Sequence, residues 1–192
     1  MGELDDLRGE VATLRARLAR LEAKEACLAA FNRYLYLMDV GYPDELVAEV
    51  FTPDAVLDVI NFPPGTMKDL HFVGHADIAP LYVAHTVTEP SVQGGHHSSN
   101  IGVDVAADCS SAELSAYFMT SGNSATLQGG MYQGRLVPDA DGSGRWRFRH
   151  YQILSGWGWK APKGDGYRIT ENLPAERAWR GGRPAMFDPA AP

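Results

Sequence analysis

The sequence has little cysteine and no long apolar run. Its 192 residues include 2 cysteines, Cys27 in a predicted helix and Cys109 in a predicted turn. Their spacing fits neither a disulfide framework nor a CxxC redox or zinc motif, which favours a reducing cytoplasm. No stretch approaches the roughly 18 apolar residues that a membrane span needs, and the N-terminus lacks the apolar core of an export signal. We therefore expect a cytoplasmic protein without a membrane-embedded segment.

Positive charge is scarce as well. The chain has 17 lysines and arginines against 24 acidic residues, which gives a formal net charge of −7. Nucleic-acid binding depends on clustered Lys and Arg side chains that follow the phosphates. Arg15, Arg17 and Arg20 are instead interspersed with acidic residues along the first predicted helix, as is typical of a solvated helix face. The sequence therefore predicts no nucleic-acid partner.

Motifs for covalent or metal-assisted chemistry are missing too. There is no GxSxG motif, which disfavours a serine hydrolase. His71 and His75 are four residues apart, but Gly74 between them disfavours a helical zinc face, and no HExxH motif accompanies them. We expect no metal site.

Apolar residues are plentiful, by contrast, and predict one folded domain. The chain is 45% hydrophobic and 10% aromatic, which is enough for a sizeable core. No linker rich in Pro, Gly or Ser separates two patterned regions. From Lys160 onward Pro, Gly and charged residues prevail. We therefore expect a domain over residues 25–160 and an irregular tail over 161–192 that covers a neighbour or closes the pocket.

A long helix is predicted at the N-terminus. From Leu4 onward, apolar residues recur at alternating intervals of three and four, the a and d spacing of a coiled coil. These residues are Leu7, Val11, Leu14, Leu18 and Leu21. The stripe then broadens through Leu28 and Phe31, as in a helix that enters a core. Residues 1–24 are therefore expected to project, and either pair with a partner chain or pack on their own domain. A homodimer or homotrimer is the expected assembly.

Two shorter helices and several strands follow. Pro43 and the acidic residues after it are typical of a helix start, and the apolar spacing from Ala76 to His85 predicts a third helix. Strand-like patterns occupy Ala55–Ile60, His97–Val105, Glu113–Ser121, Gln128–Val137 and Trp146–Trp157. Three helices followed by a β-meander predict an α+β domain, with the helices on one face of a bent antiparallel sheet.

Two places along the chain could supply a site. Tyr34 and Asp39 are about 140° apart on an ideal helix, so both reach one cavity only if the helix end bends or tightens. Otherwise Tyr34 is a core aromatic and Asp39 a residue of the helix-ending turn. His96 and His97 open a strand and alternate across its faces, so only one can face inward. An inward histidine is a natural proton acceptor near neutral pH.

Together these residues are similar to a known family. The segments that carry the likeness are Arg33–Asp39, Asp44–Leu46, Phe51–Ala55, His97 and Asn100–Ile101. Over about residues 20–160 the chain resembles the SnoaL-like branch of the nuclear transport factor superfamily, which includes scytalone dehydratase, bile-acid 7α-dehydratase and hexachlorocyclohexane dehydrochlorinase. The resemblance implies a cone-shaped, strongly bent antiparallel sheet with three helices on its concave face, an α+β barrel.

The resemblance also implies roles. In the dehydratase and dehydrochlorinase members a histidine takes a proton from the substrate, an aspartate pairs with that histidine, and a tyrosine supports the leaving group or carbonyl. By motif position these are His97, Asp39 and Tyr34. His96 is the alternative base, because a shift of one residue exchanges strand faces. Where the bile-acid enzyme has an arginine late in the last strand, this chain has Leu154–Gly156. An anionic or coenzyme-linked substrate is therefore not expected.

The implied function is a cofactor-independent lyase, a dehydratase acting on a small hydrophobic cyclic or polyketide-like metabolite. Proton removal next to a leaving group needs a base and a donor for the developing charge, and no metal or organic cofactor. The alternatives are a polyketide cyclase or isomerase that uses the same pocket, and a non-catalytic binding or assembly module. Apolar or amphipathic residues are expected to contact the substrate: Tyr36, Phe62, Tyr82, His96, Tyr117, Met119, Tyr132, Ile153 and Trp157.

Overall fold

The computed structural model describes residues 2–61, 68–84, 95–122 and 126–160, all within one compact unit, Met1–Lys160. The helices are α1 (Gly2–Val40), α2 (Pro43–Val50) and α3 (His75–Ala84). The strands are β1 (Phe51–Asn61), β2 (Leu70–Val73), β3 (Gly95–Val105), β4 (Ala112–Gly122), β5 (Thr126–Pro138) and β6 (Trp146–Lys160). The predicted α+β class with three helices is confirmed. The predicted tail over 161–192 lies outside the described residues.

The strands form one six-stranded sheet in the order β2-β1-β6-β5-β4-β3. The expectation of a wholly antiparallel sheet needs one correction, because β1 and β6 pair in parallel. Local patterns cannot reveal that pairing, since it joins strands separated by most of the chain. The edge strand β2, which pairs antiparallel with β1, was not predicted either. Its four residues are too few to display a pattern.

Bulges interrupt the ladders where the sheet changes direction. The β5–β6 register shifts between Gly129 and Gly130, and β3–β4 shifts between Ser99 and Gly102. A Cβ on Gly130 would lie 2.0 Å from the Leu154 carbonyl oxygen, so only glycine permits this approach. Such bulges increase local twist and bending. β1 begins at Phe51 rather than Ala55, with an irregularity before Val56.

The core lies between the helices and one face of the sheet. The second half of α1 buries Cys27, Phe31, Tyr34 and Leu37. Strand residues alternate in the same sense, as Leu114, Ala116 and Phe118 of β4 are buried while the residues between them point outward. We call the helix-covered side of the sheet the inner face and the opposite side the outer face.

The first half of α1 leaves this core. Its six leucine and valine side chains between Leu4 and Leu21 are 43–67% exposed, and the first buried residue is Ala23. The alternative that this stripe packs on its own domain is therefore wrong for the part of the chain that the structure describes. Among the described residues, no helix combines the length and apolar character needed to cross a membrane.

Candidate active site

Asp39 lies in the last turn of α1, and the end of that helix fixes its position. Gly41 adopts a positive φ of 75°, and the Tyr42 N–H donates to the Leu37 carbonyl at 3.2 Å. This six-to-one hydrogen bond around a left-handed glycine is the Schellman ending of a helix. It stops α1 just after Asp39 and leaves the carboxylate facing the start of β3.

Asp39 and His96 form a close pair. Asp39 Oδ1 lies 2.7 Å from His96 Nδ1, and the His96 backbone N–H donates to both carboxylate oxygens at 3.1 and 3.2 Å. An ionised carboxylate only accepts hydrogen bonds, so the pairing assigns the ring proton to Nδ1. Nε2, on the opposite edge of the ring, then carries the free lone pair. The pair is therefore arranged as a base with an orienting carboxylate.

Glycine at position 95 makes this approach possible. A Cβ there would lie 3.1 Å from Asp39 Oδ2, tighter than ordinary van der Waals contact. The side chains of His96 and Asp39 are 19% and 34% exposed, so the pair is partly shielded while solvent or a ligand can still reach it.

The structure corrects the expectation that His97 faces Asp39. His97 is exposed and lies opposite Met119, whereas His96 lies opposite Thr120. The cause is the bulge between Ser99 and Gly102, where Asn100 has a φ of 52°. One extra residue reverses the alternation that Val103 and Val105 establish, so His96 points inward. The alternative register, with His96 at the site, has the correct orientation.

Tyr34 lies in a cluster of phenols, the tyrosine cluster, formed by Tyr34, Tyr82, Tyr132 and Tyr151. The Tyr34 ring centroid is 4.9 Å from that of Tyr151, 5.9 Å from Tyr132 and 6.1 Å from Tyr82. Burial is the main cause that raises the pKa of all four hydroxyls above the ordinary tyrosine range. These groups remain protonated at neutral pH and are therefore hydrogen-bond donors.

Tyr132 belongs to this cluster and is also linked through Phe118 to the strand that carries His96. Its ring stacks on Phe118 of β4, whose partner on β3 is Ser98. Burial is the first cause of the raised pKa of its hydroxyl, and the charge of Asp39 is a lesser one.

The residues expected to contact the substrate divide between the two faces. Tyr132 and Ile153 are direct partners across β5 and β6 on the inner face, and Tyr82 is buried on α3. Tyr36 is half-buried, with the Arg33 guanidinium 5.5 Å from its ring centroid.

The expectation that Tyr117 and Met119 contact the substrate is wrong. They are 53% and 41% exposed and lie on the outer face, because β4 directs its even-numbered residues inward. Phe62 lies outside the described residues. Trp157 pairs with Gly129 through the backbone of β6, and its side chain is not among those described.

Sequence reasoning missed two inner-face residues beside the pair. Ser98 follows His96 on the same face, and its Oγ is buried without a hydrogen-bond partner among the described residues. A buried polar atom without a partner costs free energy that a hydrogen bond would recover. Phe118 is opposite Ser98 and stacks on Tyr132 with ring centroids 4.3 Å apart. Strand alternation from His96 would have identified both once its face was known.

A second histidine–aspartate arrangement occupies the outer face. Asp58 Oδ1 lies 2.7 Å from His71 Nδ1, and Oδ2 lies 2.8 Å from His150 Nε2. Burial of Asp58 opposes its ionisation, but the hydrogen bonds from His150, His71 and Gln152 outweigh this effect and lower its pKa. We call these four residues the outer network.

His150 and Gln152 of the outer network line a groove of about 610 Å³ that also includes Glu113 and Arg135. This groove is large, but its lining is polar and it opens on the face away from the helices. The Asp39–His96 pair instead adjoins the aromatic inner face, which suits a hydrophobic ligand better. Within the described ranges, no three His, Cys, Asp or Glu side chains are grouped as metal ligands.

Comparisons with known proteins agree with this fold. The sequence profile of the SnoaL-like domain family matches residues 19–152. Among solved structures, a candidate scytalone dehydratase from Novosphingobium aromaticivorans is 18% identical with a TM-score of 0.55, over 80% of this chain and 99% of the other. LinA is 15% identical with a TM-score of 0.59, over 80% and 98%.

A protein from Novosphingobium aromaticivorans, described as nuclear transport factor 2-like with a cystatin-like fold, is 19% identical with a TM-score of 0.56, over 75% of this chain and 88% of the other. At such identities these structures establish the fold alone. No curated protein sequence matches the chain.

Proposed function

We propose that this chain, which belongs to the SnoaL-like domain family, is a cofactor-independent lyase of the dehydratase type. In this proposal His96 removes a proton from a small hydrophobic substrate. The observation that carries the proposal is the 2.7 Å contact between His96 Nδ1 and Asp39 Oδ1 on the inner face. It leaves one imidazole nitrogen as acceptor and provides a carboxylate to stabilise the ring once it is protonated.

The proposed reaction breaks one C–H and one C–O bond and forms one C=C π bond and one O–H bond. His96 Nε2 takes a proton from the carbon next to the one that bears the hydroxyl group. The electron pair of that C–H bond forms the new double bond, and the C–O bond breaks. The imidazolium then returns its proton to the departing oxygen, which leaves as water. General base catalysis of this kind contributes about 10²–10⁴-fold.

Protonated phenols suit the second requirement, a donor for negative charge. The raised pKa values of Tyr34 and Tyr132 favour neutral hydroxyls, which can hydrogen-bond an oxygen that gains charge in the transition state. Tyr34 and Tyr132 are both buried, at 1% and 2% exposed. Tyr132 is the proposed donor to substrate because it stacks on Phe118, the partner of Ser98 on the strand that carries His96. Tyr34 is surrounded by the other rings of the cluster, so we assign it the role of positioning Tyr132.

The surroundings of the pair support a neutral, apolar substrate. Phe118, Tyr132 and Ile153 supply aromatic and aliphatic surface, and Ser98 adds one unpaired hydroxyl. A cyclic or polyketide-like metabolite with a hydroxyl next to an acidic C–H matches this combination. The same proton removal would serve a cyclase or isomerase, so the product distinguishes these reactions.

A binding or assembly module is the second candidate, and one observation favours it. Rings surround Tyr34 closely, with centroids of Phe51, Tyr82, Tyr132 and Tyr151 all within 6.3 Å, so this part of the interior is already filled. In that case the exposed stripe of α1 would be the functional surface.

A pair of neighbouring variants tests the enzymatic proposal. The probes are neutral cyclic β-hydroxy ketones, and the readout is loss of one water measured by mass spectrometry. His96→Ala should lower turnover by about 10² or more, whereas His97→Ala, one residue away on the opposite face, should leave it unchanged. Equal turnover for the two variants would contradict the role of His96. If no probe reacts, and neither variant alters binding of apolar ring compounds, the module candidate replaces the enzyme.

A further inference from the structure

The first half of α1 presents an apolar stripe that the described residues leave uncovered. The a positions are Leu4, Val11 and Leu18, and the d positions are Leu7, Leu14 and Leu21. Their side chains are 43–67% exposed. Scattered apolar residues are normal on a surface, but a continuous stripe of six indicates an interaction face.

The charged residues beside the stripe identify the occupant. In a parallel, in-register coiled coil, each g residue lies near the e residue of the next heptad on the other helix. The g positions are Glu3, Glu10 and Arg17, and the e positions are Arg8, Arg15 and Glu22. Two copies would therefore pair Glu3 with Arg8, Glu10 with Arg15, and Arg17 with Glu22. Symmetry doubles each contact, and all of them are attractive.

The opposite orientation is less favourable. An antiparallel pair of the same stripes brings e positions together and g positions together. At g, Glu10 of one copy meets Arg17 of the other, which is attractive. At e, Arg8 of one copy meets Arg15 of the other at two symmetric places, and these like charges oppose pairing. The parallel arrangement has no such contact, because Arg17 at g is followed by Glu22 at e. The change of sign along the helix thus matches a second copy of this chain in parallel register.

The domain also stabilises the exposed half of α1 as a helix before any pairing. Isolated helices of this length are marginal in water. Here the stripe continues into a 39-residue helix whose second half is buried. The Arg20 Nη2 group donates to the Val105 carbonyl at 3.3 Å, where the helix meets the domain.

We propose that residues 3–24 form a parallel, two-stranded coiled coil with a second copy of this chain. Both domains are then attached to the C-terminal end of the coiled coil. Asp39 lies about 27 Å farther along the helix than Leu21, at about 1.5 Å per residue. Dimerisation and the chemistry of the Asp39–His96 pair are therefore separable.

The test measures the mass of the full chain in solution at tens of micromolar. The wild type should have twice the 20.9 kDa of one chain, by light scattering after size-exclusion chromatography. The double variant Leu14→Glu, Leu18→Glu should have the mass of one chain. The matched control is the double variant Ala12→Glu, Ala16→Glu, which adds the same two charges away from the stripe on the same helix and should remain dimeric.

Orientation has its own measurement. Leu7→Cys places identical thiols at the same level only in a parallel pair, whereas an antiparallel pair puts Leu7 near Leu18 of the other copy. Under mild oxidation Leu7→Cys should form a covalent dimer, and the wild type, which retains Cys27 and Cys109, should not. If the wild type also formed a covalent dimer, the two copies would meet at Cys27 or Cys109 rather than at Leu7, and the proposal would be overturned.

Several other results would contradict the parallel coiled coil. A monomeric or trimeric wild type, or a dimer that survives the double glutamate variant, would overturn the proposal. So would a dimeric Leu7→Cys that fails to cross-link. Circular dichroism verifies that the double variant retains its strands. Because the surfaces are separate, the double variant should dehydrate the ketone probes as the wild type does, and His96→Ala should remain dimeric.

Discussion

The two faces of the sheet carry similar pairs in different surroundings. On each face a carboxylate oxygen lies 2.7 Å from a histidine Nδ1, Asp39 with His96 inside and Asp58 with His71 outside. The histidine side chain is 19% exposed in the first pair and 66% exposed in the second. Asp58 is also occupied on its other oxygen by His150. A short contact is therefore not sufficient for a reactive site.

The difference shows what environment adds to the same geometry. The two carboxylates do not explain the difference, because Asp58 at 20% is less exposed than Asp39 at 34%. The imidazoles do, since a partly buried ring loses less of its electrostatic interaction to solvent than an exposed one. The inner pair also adjoins protonated phenols and apolar rings, whereas His150 and Gln152 of the outer network line a polar groove. Matched substitutions on the two faces should therefore have different effects.

The largest effect is expected at the two aspartates. Asp39→Asn removes the charge that stabilises a protonated His96 and should lower dehydration of the ketone probes by about 10²–10⁴-fold. Asp58→Asn makes the same change on the outer face and should leave turnover within twofold of the wild type. Steady-state rates measure both. If Asp58→Asn were the more damaging change, the reactive pair would be the outer one.

The next effect concerns the phenols. Tyr132→Phe keeps the ring that stacks on Phe118 but removes the hydroxyl proposed as donor, so kcat should fall by about 10²-fold, as for loss of one transition-state donor. Tyr151→Phe removes a hydroxyl that is buried without a hydrogen-bond partner among the described residues, and turnover should change little. Equal losses in kcat would mean that the Tyr132 hydroxyl is not the specific donor.

A smaller effect is expected from two glycines. Gly95→Ala places a Cβ 3.1 Å from Asp39 Oδ2, so the carboxylate must shift by a few tenths of an ångström. Turnover should fall a few-fold, because misplacement of a catalytic group weakens its contribution. Gly156→Ala is the control, because a Cβ there would lie 3.7 Å from the Gly129 carbonyl oxygen, in ordinary van der Waals contact, and meets no atom of Asp39 within 4 Å. Similar rates for both alanine variants would show that the Asp39 approach tolerates displacement.

How far the sequence predicts this molecule depends on the range of each interaction. The spacing of Leu7, Val11 and Leu14 predicts α1 because a helix repeats locally. The resemblance chose His97 over His96 to face Asp39, and this was wrong, because the bulge after Ser99 reverses the alternation and no local pattern marks it. The prediction that Tyr117 and Met119 line the pocket was wrong because β4 carries large apolar residues on both faces, so their type does not reveal which face is buried.

Long-range contacts escape reasoning from local patterns. Asp58 meets His150 across the parallel β1–β6 pairing, 92 residues along the chain. Tyr132 of β5 meets Tyr34 of α1, with ring centroids 5.9 Å apart, although 98 residues separate them. In each case the residue types are ordinary, and only the sheet order brings them together. The Asp39 contact was anticipated through a family resemblance, whereas the outer network has no corresponding motif.

The smallest expected effect is on stability and concerns Asp58 on the outer face. The pKa of Asp58 is lowered in the folded chain, so its ionised form stabilises the fold above the pKa of the unfolded chain, near 3.8. That stability is lost as pH falls through the lower, folded pKa. Because both histidines are largely exposed, the contribution is about 1 kcal/mol or less. Urea unfolding of Asp58→Asn should therefore show a small destabilisation at pH 6 that disappears toward pH 2. A difference that persists undiminished in acid would assign the effect to packing of Asp58 rather than to its charge.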